Sequence, residues 1–241
     1  MTIDELRREL TLANHILARE GLLAGLGHIS ARHPDRPDRF FLSRALAPNL
    51  VTTSDLHEFD LDGNLTDGSN VNGYAERVIH AAVYAARPDV MSVCHNHAIE
   101  ILPFCNVGRP PGPVTHIAGM MGETVPVWDN RVEFGDTQII VIRMEEAVSM
   151  ARALGANRCM LLRRHGALVV GKTIRETVFR SIVLRDNARV HLDAIRLGEP
   201  STLTPKEMEI SNSLHESPRI VERVWDGWVA ELGPGIADKL R

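Results

Sequence analysis

Two short apolar runs end in histidine, and this constrains the chain more than any other feature. Val90-Met91-Ser92-Val93-Cys94 leads into His95-Asn96-His97, and Cys159-Met160-Leu161-Leu162 leads into Arg163-Arg164-His165-Gly166. Alternate residues of a strand project to the same side, so this spacing predicts that His95 and His97 point together. A fold that sets the end of the second run beside the first adds His165. Three neutral imidazoles with an open fourth position make a catalytic rather than a structural metal centre. A bare His-x-His is weak alone, because each histidine can equally be a core or surface residue satisfied by hydrogen bonds. Cys94 adjoins the first histidine, but alternation turns it to the opposite face and makes it core.

The composition narrows the setting. At 241 residues, 44% hydrophobic and 24% charged, the chain suits one well-buried globular domain spanning 1–241. A formal net charge of −4, with no basic block, argues against nucleic acid as a partner. The opening Met1-Thr2-Ile3-Asp4-Glu5 lacks the basic and apolar regions of a signal peptide. No apolar run approaches the roughly twenty residues of a membrane span. Three cysteines (Cys94, Cys105, Cys159) make no disulfide framework. A cytoplasmic protein with no membrane partner is expected.

Apolar spacing predicts a helix over residues 3–24, then strands at 28–32 and 40–43, and a hairpin turn at Asp62-Gly63-Asn64. A helix over 74–87 ends before Pro88. The His-x-His strand follows, then a short helix from Ala98 to Cys105, a helix at 145–154, two strands within 158–170 and a long helix at 173–197. A helical tail from about 201 holds Trp225 and Trp228. Hairpin strands flanked by helices fit an α/β fold: a three-layer α/β/α sandwich with a mixed, largely antiparallel central sheet.

The ordered set Gly27-His28-Ile29-Ser30-Ala31-Arg32, Glu76, His95-Asn96-His97 and His165-Gly166 resembles the class II aldolase/adducin family from about residue 5 to 200. The resemblance implies that His95, His97 and His165 hold one divalent ion per subunit, zinc or manganese first, iron or cobalt as alternatives. It makes Glu76 the proton-transfer residue, or a fourth ligand when no substrate is bound. It further implies a homotetramer with sites near subunit boundaries. Trp225 and Trp228 would have a role if the tail packs on a neighbour, and packing within the subunit is an equal alternative.

The departures bear on the substrate. Sugar-phosphate aldolases of the family carry Gly-Asn-x-Ser, a Thr/Ser-Pro-x-Gly turn and a Ser-Ser pair that cradle a phosphate. Here those places read His28, Ser43-Arg44-Ala45-Leu46-Ala47-Pro48 and Tyr74-Ala75, so the phosphate donors are lost. Arg44 can pair in two-point fashion with a planar carboxylate. His28, Arg32 and Arg164 are further candidates for carboxylate binding, although such arginines also serve in surface or interface ion pairs. Gly-His-Ile-Ser-Ala-Arg-His-Pro, Leu-Ala-Pro-Asn-Leu-Val-Thr and His116-Ile117-Ala118-Gly119-Met120-Met121-Gly122 look like the decarboxylase branch, which acts on hydroxylated benzene or pyridine dicarboxylates. There His116 would be a second proton donor, with a hydrogen-bonded loop histidine as the alternative. The leading expectation is a metal-dependent non-oxidative decarboxylase of a carboxylated aromatic small molecule. A class II aldolase for a non-phosphorylated hydroxy acid or sugar, and a non-catalytic adducin-like scaffold, are the rivals.

Overall fold

The computed structural model of the protein describes residues 1–240. Seven strands form one sheet: β1 (His28–Arg32), β2 (Arg39–Ser43), β3 (Leu56–Asp60), β4 (Ser92–Asn96), β5 (Val127–Trp128), β6 (Cys159–Leu162) and β7 (Gly166–Gly171). Their order is β3-β2-β1-β4-β7-β6-β5, with every pair antiparallel except β5–β6. The mixed, largely antiparallel sheet is therefore as the sequence predicts.

The two histidine-bearing strands lie at its centre because β1 and β4 are buried at every position. Side chains alternate between two apolar layers. On one face Ile29, Ala31 and Cys94 join the core built on α1 (Ile3–Arg19) and α6 (Ile174–Leu197). On the other, Val93 and Leu168 pack with α2 (Arg77–Ala86) and α5 (Met144–Leu154). The cysteine thus points where alternation predicts.

Helix α1 starts at a reciprocal cap: the Glu5 N–H donates to Thr2 Oγ1 at 3.2 Å and the Thr2 N–H donates to Glu5 Oε2 at 2.7 Å. It buries Leu6, Leu10, Ala13 and Leu17 along one stripe. It ends at Arg19 rather than at residue 24, because Gly21 and Gly25 take φ of +75° and +87°, a conformation that breaks the helix. The expected 98–105 helix forms later, as α3 (Leu102–Val107). Two short elements escape the sequence reading, β5 and α4 (Arg131–Phe134).

The tail forms α7 (Pro205–His215) and α8 (Pro218–Glu231). Trp225 is 3% exposed beneath the Arg175 guanidinium, and Trp228 meets Phe179 edge-on at 5.7 Å between ring centroids. Both tryptophans pack within the subunit, so they lend no support to an intersubunit role for the tail.

Candidate metal centre

Sheet register assembles the site. In β1–β4 pairing His28 stands opposite His95, and in β4–β7 pairing Asn96 stands opposite Ala167. His97 follows the end of β4, while His165 closes the three-residue turn that joins β6 to β7. Two glycines permit the approach. A Cβ on Gly166 would lie 2.3 Å from Asn96 O and 2.8 Å from the His97 ring, and one on Gly27 would lie 2.8 Å from His95 O. The preceding Arg164 has φ +60°, a region that side-chain-bearing residues seldom occupy.

Glu76 sits at the N-cap of α2, not inside the helix as the sequence reading placed it. There the helix N-terminus favours its anionic form. One ligand atom each from Glu76, His95, His97 and His165 lies within 4.8 Å of the others. His95 Nε2 is 2.8 Å from His97 Nε2 and 3.3 Å from His165 Nε2, while Glu76 oxygens lie 3.5 Å from both His95 and His165. The Val141 N–H donates to Glu76 Oε1 at 3.0 Å and fixes the carboxylate.

The donor set suits a divalent cation. His95 Nδ1 must donate to the Ala167 carbonyl at 3.1 Å, which leaves Nε2 as a bare lone pair facing its neighbours. Burial first, then the neighbouring His95, lowers His97 to about 3 and His165 to about 4. Burial pushes Glu76 up, but the imidazoles of His95, His165 and His28 outweigh it and hold the carboxyl well below its usual range. At neutral pH His97 and His165 are therefore uncharged and Glu76 is a carboxylate, so their lone pairs converge on one point that a positive ion would fill.

The remaining sequence candidates separate. His28 is at the site: it is 1% exposed, its ring lies 5.3 Å from that of His95, and Nε2 is 3.9 Å from Glu76 Oε2. Arg44 stands at the same end of the sheet and donates through Nε to Asp55 Oδ1 at 2.7 Å, with its side chain 42% exposed. Its terminal nitrogens make no hydrogen bond among the described residues. Arg164 pairs with Asp129 at 3.0 Å, a carboxylate it shares with Arg163 at 3.6 Å.

Two candidates lie apart from this cluster. Arg32 lies at the far end of β1, where its guanidinium donates to the carbonyls of Val90, Tyr84, Arg87 and Pro37 and covers the Tyr84 ring. It braces the C-terminus of α2, and four of its five N–H donors are taken by main-chain carbonyls. His116 is exposed beside His215 of α7, with its carbonyl accepting from Ser211. No contact joins it to the four-residue cluster among the described residues.

Sequence reasoning missed a buried polar file behind the cluster. His28 Nδ1 and His80 Nε2 are 2.6 Å apart, His80 Nδ1 and Ser30 Oγ 2.6 Å, and Ser30 Oγ and Tyr84 Oη 2.8 Å. Its signal was legible: Glu76, His80 and Tyr84 recur every four residues in an otherwise apolar α2.

The family model for the class II aldolase and adducin N-terminal domain matches residues 8–192. The chain is 31% identical to "Decarboxylase tropJ" of Talaromyces stipitatus over 92% of its own length and 91% of that protein. It is 28% identical to the 3,4-dihydroxyphthalate decarboxylase of Arthrobacter keyseri, over 80% of this chain and 79% of that one. Among solved structures, the L-fuculose 1-phosphate aldolase of Glaciozyma antarctica superposes with a TM-score of 0.80 over 100% of this chain and 95% of that one, at 24% identity.

Proposed function

From the premise that the chain belongs to the class II aldolase and adducin family, we propose that it is a divalent-metal-dependent, non-oxidative decarboxylase of a hydroxylated aromatic dicarboxylate, on a benzene or pyridine ring. Relatives named as decarboxylases support the carbon–carbon lyase class. The observation that carries the reading is the cluster of three imidazoles and one carboxylate whose ligand atoms lie within 4.8 Å of one another. A catalytically idle scaffold has no use for buried groups crowded in this way.

His95, His97 and His165 would hold the ion, with zinc or manganese the first choice and iron or cobalt next. Such an ion supplies a Lewis acid for the electron pair left when a carbon–carbon bond breaks. Glu76, ionised at rest, takes the proton of the substrate hydroxyl and returns it to the ring carbon that bears the departing carboxylate. The carbon–carbon bond then breaks, carbon dioxide leaves, and the bonding pair restores the aromatic ring. The former hydroxyl oxygen is left as a phenolate, which takes a proton from solvent on release. Glu76 ends as it began.

Arg44 would hold the carboxylate that stays. It lies two strands from β4, and at about 4.8 Å per strand that spacing is ~10 Å, the scale of an aromatic diacid. Its bond to Asp55 uses Nε and leaves the outer edge of the guanidinium for a ligand. The homotetramer belongs to the same proposal, and a monomer by light scattering at working concentration would remove it. No helix among the described residues is long and apolar enough to cross a membrane.

A paired assay tests the chemistry. Carbon dioxide release from a panel of hydroxylated aromatic diacids is expected, with no aldehyde release from hydroxy acids. The reverse result would make the protein an aldolase. Arg44→Ala should lower kcat/KM about tenfold for the diacid, ~1.4 kcal/mol, and leave the matching monoacid unchanged. Asp55 stays bonded in that variant, because the Thr52 N–H and hydroxyl also donate to it. Equal losses for diacid and monoacid would assign Arg44 to the fold instead.

A further inference from the structure

The file Tyr84–Ser30–His80–His28 runs from the brace at Arg32 to the carboxylate of Glu76, and its final atom, His28 Nε2, is buried without a hydrogen-bond partner. With each imidazole neutral and the buried Ser30 hydroxyl proton bonded within the file, since no other acceptor for it lies among the described residues, the three hydrogen bonds can be ordered in only two ways. Either every proton points away from the metal cluster, which leaves His28 Nε2 a bare lone pair, or every proton points towards it, which leaves His28 Nε2–H a donor.

Both ends choose the second. At the cluster end Nε2 lies 3.9 Å from Glu76 Oε2, where a lone pair would face an anion and a proton is attracted to it. At the other end the Arg32 guanidinium sits 4.7 Å from the centre of the Tyr84 ring. Its permanent positive charge favours bonds whose negative ends face it. Tyr84 Oη has one side-chain partner, Ser30 Oγ, and only the second ordering gives the phenol proton that acceptor. Burial keeps the file uncharged: it is the first cause lowering both His28 and His80, the latter to about 3.

We propose that Tyr84, Ser30 and His80 are positioning residues that lock His28 in its Nε2–H tautomer, making it a fixed neutral donor aimed at the oxygens gathered beside Glu76. At rest that donor faces the Glu76 carboxylate. In turnover it donates to an oxygen of the bound substrate, the carboxylate or the oxygen that gains charge as carbon dioxide leaves. Only the identity of that oxygen rests on the decarboxylase reading. Arg32, expected from sequence to bind substrate, acts on the site from behind by polarising the file.

Nitrogen-15 NMR of the histidine-labelled, metal-free protein reads the tautomers directly, with His28→Asn and His80→Asn spectra to assign the signals. Protons on Nε2 of both His28 and His80 are expected. Cutting the file with Ser30→Ala should let the Nδ1–H form of His28 appear, and a proton on His28 Nδ1 in the unaltered protein would overturn the proposal. This readout needs neither metal nor substrate, so it stands even if the diacid panel releases no carbon dioxide. With an active substrate, His28→Phe should lower kcat by 10- to 100-fold with KM changed less than threefold. Ser30→Ala should cost three- to tenfold alone and nothing further in the His28→Phe background. Additive losses would mean that Ser30 only supports the fold.

Discussion

The two faces of β1 and β4 are equally buried and chemically opposite. Ile29, Ala31 and Cys94 enter an apolar layer under α1 and α6, whereas His28, Ser30 and His95 look into a layer where α2 supplies Glu76, His80 and Tyr84. Since both faces are dry, the difference lies in what each removes from water. The apolar face gains from burial itself. The polar face gains only to the extent that each buried group finds a partner. It is satisfied up to His80 and then left with converging nitrogens and an unpartnered His28 Nε2. The opposite face has single orphaned amides at Asn14 and Asn96, but only here do three imidazoles and a carboxylate converge, and that marks it as the working side.

The comparison is broken most severely at the far end of β1. Arg32→Ala would strip donors from four main-chain carbonyls, and at about 1 kcal/mol for each acceptor left unmade, the low end because two of the bonds are only part-buried, the fold should lose about 4 kcal/mol. Thermal or urea unfolding measures it. A variant of full stability with selectively weakened diacid binding would return Arg32 to the substrate.

Glu76→Gln comes next. It keeps the shape and a Val141 contact but removes the charge, so turnover should fall on the order of 10²-fold or more while the fold is retained. Unchanged single-turnover rates would take Glu76 out of the proton path.

The smallest effect belongs to the opposite face. Cys94→Ala deletes one buried sulfur from the α1/α6 core and should cost about 1 kcal/mol of stability, with metal content and kcat unaltered. A change in metal content would show that the two faces are not independent.

Most of the sheet was legible because alternation and turn chemistry are local. The strand expected at 28–32 is β1 itself, and Asp62-Gly63 does turn the chain, with Gly63 at φ +81°. The grouping of the histidines was legible for the same reason: His95 and His97 share a side by spacing, and Gly166 is needed by contact. What escaped was non-local. Arg32 reads from sequence as a carboxylate-binding or ion-pair residue, and the docking of α2 and the following turn against β1 brings three of the four carbonyls that engage it. For Trp225 and Trp228 the sequence leaves packing on a neighbour and packing within the subunit equally open, and the docking of α8 against α6 supplies the second. His80 and Tyr84 were hidden in a helix that looked apolar, and their polarity matters because Ser30 and His28 lie opposite.

The central claim is that the polar face completes itself with a metal ion. Calorimetric titration of chelator-treated protein with zinc or manganese should show one ion taken up per subunit. His97→Ala, which alters a half-buried ligand at the rim, should abolish that uptake while the protein stays folded. Full binding by His97→Ala, or no uptake of any divalent ion by the unaltered chain, would contradict the account.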